Sequence, residues 1–220
     1  MPLRKLASGF LSFRAETFLP KRAVFEALAR KQEPKVMMIA CSDSRVDPAI
    51  LTNAEPGDIF MVRNVANLVP PFVGDDSPHG TSAALEFAVT ALAVQHIIVL
   101  GHAGCGGIRA LLTADPVVSA PRSFIKNWMS IGDEARRRML LTHRHCNAAE
   151  QQRALELEAI KTSLANLLTF PWVVSRLAEG TLRIHGWYFD INDGEMYVYV
   201  PDEDRFRPLT IDIVSELQEA

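Results

Sequence analysis

No run in the sequence comes near the roughly 18 consecutive apolar residues that a membrane-crossing helix needs. No membrane partner is therefore expected. The N-terminal segment MPLRKLASGFLSFRAETFLPKR interrupts every apolar group with Arg, Lys or Glu, so it lacks the unbroken apolar core of a secretory leader. Cysteine is scarce: three in 220 residues, an odd number and too few for a disulfide framework. These features predict a soluble, cytoplasmic protein whose cysteines are thiols or metal ligands. Positive charge is not in excess either. Lys and Arg total 23 against 26 Asp and Glu, a net charge of −3, which removes the basic footprint that nucleic-acid binding requires. Internal repeats and low-complexity tracts are missing, and so is a C-x-x-C pair, which disfavours a thiol redox protein.

What is present suits one full-sized domain with an appendage. Apolar residues make up 48% and charged residues 22%, ample for a core. Residues 10–31 carry Phe10, Phe13, Phe18, Val24, Phe25 and Leu28 around Pro20, which predicts two amphipathic helices meeting at the proline. This arm, residues 1–34, is expected to pack on something outside the main domain, residues 35–220. Short apolar runs at 35–40, 58–63 and 97–101 lack polar alternation, as strands buried on both faces do. A helical pattern covers 80–95, with Thr81 and Ser82 as capping candidates, and another begins at Ile108. Residues 121–178 read as helical with a break at Pro171. The segments 182–190 and 195–200 flank Asn192-Asp-Gly194, a hairpin signal. The expected fold is α/β: a mostly parallel sheet with an antiparallel edge strand, flanked by helices.

Two cysteines stand just past the C-terminal ends of predicted parallel strands, where ligand sites gather in open α/β sheets. Cys41 follows the first strand; His102 and Cys105 follow the third in a glycine-rich turn. If those strands are neighbours, two thiolates and one imidazole converge as a three-ligand zinc set with an open fourth position. The plain alternative is that each cysteine is a small buried hydrophobe. Asp43 and Arg45 repeat the direction of Cys41 at the strand's two-residue period. The carboxylate can reach the open position, and the guanidinium can hold it bidentately; otherwise the two form an ordinary surface ion pair. A phosphatase-type loop is excluded because Asp47 stands where its arginine would be, and a dinucleotide fingerprint fails because Arg109 replaces the last glycine. Arg136 to Arg138, with His143 and His145, read as a solvated face. Cys146, His96 and His185 have no motif context, and His79 in a Ser-Pro-His-Gly turn could carry protons.

Three ordered blocks, Cys41-Ser-Asp-Ser-Arg45, Val62-Arg-Asn-Val-Ala-Asn-Leu68 and Gly101-His-Ala-Gly-Cys-Gly-Gly107, resemble the signatures of the β-class carbonic anhydrases. The likeness runs from Gln32 to Leu112 and resumes at Ser163–Leu168 and His185–Asp190. It implies Zn2+, one per subunit, on Cys41, His102 and Cys105, with Asp43 and Arg45 as the catalytic dyad. Gln32 matches a substrate-binding glutamine of the plant-like branch, and Phe60 an apolar pocket residue. Phe87 replaces that branch's pocket tyrosine. Val65, together with Phe60 and Phe87, would line a dry pocket for carbon dioxide, and the Gly106 N–H would face bicarbonate. The implied reaction is reversible hydration of carbon dioxide to bicarbonate and a proton by zinc-bound hydroxide, in a homodimer or larger homo-oligomer. Hydrolysis of carbonyl sulfide or carbon disulfide on the same scaffold, or a non-catalytic zinc or bicarbonate-binding module, are the competing readings. A second branch carries an inhibitory bicarbonate pocket of Trp, Arg and Tyr. The matching positions here are Met38, Arg63 and Phe189, so the resemblance implies the non-allosteric branch.

Overall fold

The computed structural model describes residues 1–75, 77–113 and 123–219. Six strands form one sheet: β1 (Val36–Cys41), β2 (Ile59–Asn64), β3 (His96–His102), β4 (Arg183–Asp190), β5 (Glu195–Val200) and β6 (Arg205–Pro208). Their order is β2-β1-β3-β4-β5-β6. The pairs β1–β2, β1–β3 and β3–β4 are parallel, whereas β4–β5 and β5–β6 are antiparallel. The antiparallel edge is thus two strands rather than the single one expected. The four-residue β6, Arg-Phe-Arg-Pro, is too short and too charged to read as a strand from sequence.

The absence of polar alternation in β1 and β3 follows from their position. Met37 and Ile39 join Ile97, Val99 and Tyr188 in a cluster on one face. Met38 and Ala40 join Ile98 and Leu100 on the other. Both faces are covered, so every position pays off in burial only when apolar. Helices α1 (Pro2–Phe13) and α2 (Arg22–Leu28) form the arm, with Pro20 in the turn between them. The first helix begins at Pro2, eight residues before the helical pattern read from Phe10, and no residue of α1 or α2 is buried; Leu3, Leu6, Phe10 and Leu11 are all exposed. Its internal contacts are aromatic, Phe25 meeting Phe13 and Phe18 at ring-centroid distances of 5.9 and 4.9 Å.

The main domain adds α3 (Pro48–Thr52), α4 (Gly80–Glu86), α5 (Gly106–Thr113), α6 (Phe124–Met129), α7 (Asp133–His143), α8 (Ala148–Leu167), α9 (Pro171–Ala178) and α10 (Ile211–Glu219). The helix expected over 80–95 stops earlier. It widens into a π turn at Phe87–Ala91, and Ala93 adopts φ +52°, a left-handed conformation that ends it. Thr81 and Ser82 do not cap it, since His79 holds that position; Thr81 is instead buried and accepts from Asn64 Nδ2 at 3.3 Å. Among the described residues the expected helical span 121–178 is four α-helices, separated by a 3-10 turn at Ser130–Gly132, by residues 144–147 and by residues 168–170; its first two residues lie outside the described residues. Helix α8 starts at a capping box in which Asn147 and Glu150 satisfy each other's backbone N–H groups. No helix among the described residues is long and apolar enough to cross a membrane.

Helix α8 lies directly on β3 and β4. A Cβ at Gly186 would meet Ile160 Cγ2 at 2.8 Å, Leu164 Cδ1 at 3.0 Å and Tyr199 Cβ at 3.3 Å. The substitution Gly186→Ala is therefore expected to overpack this contact and cost roughly 1–3 kcal/mol. Urea unfolding followed by circular dichroism should show a lower midpoint with unchanged slope; an unchanged midpoint would refute the close packing of α8 on β4.

Candidate metal centre

Parallel pairing of β1 with β3 sets Ala40 opposite Leu100, so Cys41 and His102 emerge from the same end of adjacent strands. Gly104, at φ +67°, then turns the chain sharply, and Cys105 immediately precedes helix α5. The ligand atoms of Cys41, His102 and Cys105 lie within 4.8 Å of one another, all three residues being buried. The two sulfurs are 3.9 Å apart. His102 Nδ1 donates to the Ala103 carbonyl at 2.9 Å, which leaves the lone pair on Nε2. That Nε2 is buried and has no hydrogen-bond partner among the described residues.

These atoms fit a divalent metal ion. A buried imidazole nitrogen without a partner is costly unless something accepts its lone pair. The thiols share a hydrogen bond that draws Cys41 well below the ordinary thiol range and, with burial, pushes Cys105 up. One sulfur thus ionises at the expense of the other, and a cation between them removes that conflict. Backbone N–H groups of Asp43 and Ala66 also favour the Cys41 thiolate, and those of Gly107 and Ile108 the Cys105 thiolate. Two sulfurs and one nitrogen are a zinc-type donor set.

Asp43 and Arg45 stand beside this cluster. Arg45 Nε and Nη2 donate to the two carboxylate oxygens of Asp43 at 2.9 and 2.7 Å, and the Arg45 backbone N–H adds a third bond at 3.0 Å. Arg45 Nη2 also reaches the Gly104 carbonyl at 3.0 Å, tying the two ligand-bearing loops together. The guanidinium holds the Asp43 carboxyl well below the ordinary carboxylate range. Asp43 Oδ2 is 3.9 Å from His102 Nε2.

The apolar residues expected around the substrate are partly gathered. Phe60 and Phe87 rings lie 5.9 Å apart; Phe87 and Val65 remain substantially exposed. The Val65 carbonyl accepts from Trp128 Nε1 at 2.7 Å. Gly106 is the first residue of α5. Gln32 is exposed, just before β1. Among the other sequence candidates, His79 Nε2 pairs with Asp75 at 2.7 Å, and His96 Nδ1 meets His185 Nε2 at 3.1 Å. Arg137 and Arg138 both bind Glu134, and Cys146 is a half-buried free thiol.

Two residues to which sequence reasoning gave no part in the site prove central: Arg63, named there only for the second branch's pocket, and Glu156, not named at all. Arg63, on β2, donates from Nε to the Cys41 carbonyl at 2.9 Å. Its Nη2 donates to the carbonyls of Asp43 at 2.7 Å and Val46 at 2.9 Å, and its Nη1 to Asp47 at 3.1 Å. It staples the loop that carries Asp43 and Arg45. Glu156, buried on α8, accepts the Cys105 N–H at 2.9 Å. The available signals were a lone arginine inside an apolar strand and an acid among apolar helix positions, each demanding buried partners.

The carbonic anhydrase family model matches residues 36–196. Over 191 residues the chain is 42% identical to "Beta carbonic anhydrase 6, mitochondrial" of Arabidopsis thaliana, covering 87% of this chain and 65% of that protein. It is 38% identical over 194 residues to a carbonic anhydrase of Pseudomonas aeruginosa, covering 88% of this chain and 86% of that protein. The solved structure of the β-carbonic anhydrase CcaA superimposes with a TM-score of 0.89 at 35% identity, over 94% of this chain and 92% of that one. The chain belongs to the β-class carbonic anhydrases, zinc lyases that interconvert carbon dioxide and bicarbonate.

Proposed function

We propose that this chain hydrates carbon dioxide at Cys41, His102 and Cys105, with Asp43 and Arg45 as its catalytic dyad. The observation that carries the reading is the buried His102 Nε2, without a hydrogen-bond partner among the described residues and beside two thiols 3.9 Å apart. Zinc, when bound, supplies a nucleophile at neutral pH by lowering the pKa of water from 15.7 toward about 7. Cys41 and Cys105, as thiolates, and His102 through Nε2 would hold it.

The chain's own residues then have distinct tasks. Asp43 accepts a hydrogen bond from the attacking oxygen and turns a lone pair of that oxygen toward carbon. Arg45 keeps Asp43 ionised and, by holding both carboxylate oxygens, keeps it off the metal. Asp43 released from Arg45 is close enough to the His102 nitrogen to compete for the fourth position. Phe60, Val65 and Phe87 exclude water from a substrate that is itself apolar. Gln32 and the Gly106 N–H donate to the developing bicarbonate oxygens. A non-catalytic zinc module would have no use for a carboxylate parked beside the ligands by a bidentate arginine.

Three assignments extend this reading. The arm, residues 1–34, packs on a second copy of the chain, since Leu3, Leu6, Phe10 and Leu11 are left uncovered by the described residues of their own subunit. The enzyme belongs to the non-allosteric branch. Arg63 is fully engaged by Asp47 and three carbonyls, while Met38 and Phe189 supply no polar group to the second pocket. Unbridged thiol ligands suit a reducing compartment, the cytoplasm.

Zinc analysis paired with stopped-flow carbon dioxide hydration tests the site. Cys41→Ala and His102→Ala should each lose stoichiometric zinc and activity together; an active, zinc-free variant would sink the proposal. Arg45→Ala should retain zinc and lose about 10–100-fold in turnover, whereas full turnover would dissolve the dyad. Deleting residues 2–31 should convert the oligomer to monomers in sedimentation velocity; an unchanged oligomer would remove the arm from the interface.

A further inference from the structure

Directly behind Cys105 lies a carboxylate that the reaction scheme does not use. Glu156 is 3% exposed and sits on α8 above the buried positions Ile160, Ser163 and Leu167. Its Oε1 accepts the Cys105 backbone N–H at 2.9 Å and Gln152 Nε2 at 2.9 Å. Its Oε2 accepts the Tyr188 hydroxyl at 2.9 Å. Tyr188, on β4, is wholly buried, with the Arg153 guanidinium 5.1 Å from its ring centroid. Arg153 in turn pairs with Asp190 at the end of the same strand.

Folding alone does not ask for an acid here. A carboxylate taken out of water is expensive unless its oxygens are hydrogen-bonded; a neutral acceptor would satisfy the Cys105 N–H and the Tyr188 hydroxyl without burying a charge. What the acid adds is a rigid acceptor for the N–H of one particular residue. Gly104, at φ +67°, makes the preceding turn a conformation that few side chains could hold in place. The Glu156 bond locks the residue that follows. We propose that Glu156, held by Tyr188, is a positioning residue for the metal. It fixes the Cys105 turn so that this sulfur stays directed at Cys41 and His102. The inference rests on the reading of those three residues as zinc ligands.

Zinc retention by the purified holoenzyme, measured in competition with dipicolinate, tests it. Glu156→Leu fills similar space but offers no acceptor to the Cys105 N–H, and should weaken zinc binding about 10–100-fold. Tyr188→Phe removes one hydroxyl and should weaken it toward the lower end of that range. Val173→Ala, which empties a buried position on α9, serves as the control: it should melt earlier and bind zinc as the wild type does. If both site variants hold zinc within twofold of wild type, whether or not they melt early, Glu156 does not position the metal and the inference fails. Should Glu156→Leu not fold, Tyr188→Phe decides on the same criterion. A wild-type protein without zinc would overturn the functional reading itself, and this inference with it.

Discussion

Two thiols held 3.9 Å apart in a buried pocket cannot both ionise unless a cation lies between them, and the fold forces them into that pocket. The forcing agent is the parallel register of β1 and β3. With Val36 opposite His96 and Ala40 opposite Leu100, Cys41 and His102 must leave the sheet together. A slip of one residue would turn Cys41 to the opposite face and dismantle the cluster. The apolar packing of Met37, Ile39, Ile97 and Val99 against one face, and of Met38, Ala40, Ile98 and Leu100 against the other, makes such a slip prohibitive. Core packing and metal chemistry are here the same specification.

Around the cluster, positive and negative charge are arranged so that each group has one task. Arg45 is spent on Asp43 and the Gly104 carbonyl, and Arg63 on the loop carbonyls and Asp47. Neither guanidinium is left over to neutralise the thiolates, which leaves that role to the metal. In the proposed reaction the Asp43 carboxylate remains ionised far below neutral pH, because Arg45 stabilises its charged form. Its availability as an acceptor therefore does not change across the range in which carbon dioxide and bicarbonate interconvert.

Much of this was legible in the residues. Unbroken apolar runs marked β1 and β3 because burial on two faces removes the polar alternation, whereas the similar run at 58–63 marks β2, an edge strand that is half-buried throughout rather than covered on both faces. The Asn192-Asp-Gly194 signal located the β4–β5 turn, where Gly194 takes φ +77°. Strand β6 was illegible because four residues with two arginines form a strand only by pairing with β5. The early end of the helix after Gly80 depends on a left-handed alanine, a conformation that composition does not encode. Spacing brought Cys41, His102 and Cys105 into view, but Arg63 and Glu156 act through backbone groups distant in sequence. Such contacts exist only once the chain has folded. The exposed arm was legible as amphipathic, while the surface it meets belongs to the proposed second copy.

The most direct test is zinc K-edge X-ray absorption of the loaded enzyme at mildly alkaline pH. The account predicts two sulfur neighbours at about 2.3 Å, one imidazole nitrogen at about 2.0–2.1 Å, and one further light atom that exchanges with added anions. A shell with fewer than two sulfurs, or with a fourth protein donor that no anion displaces, would contradict it.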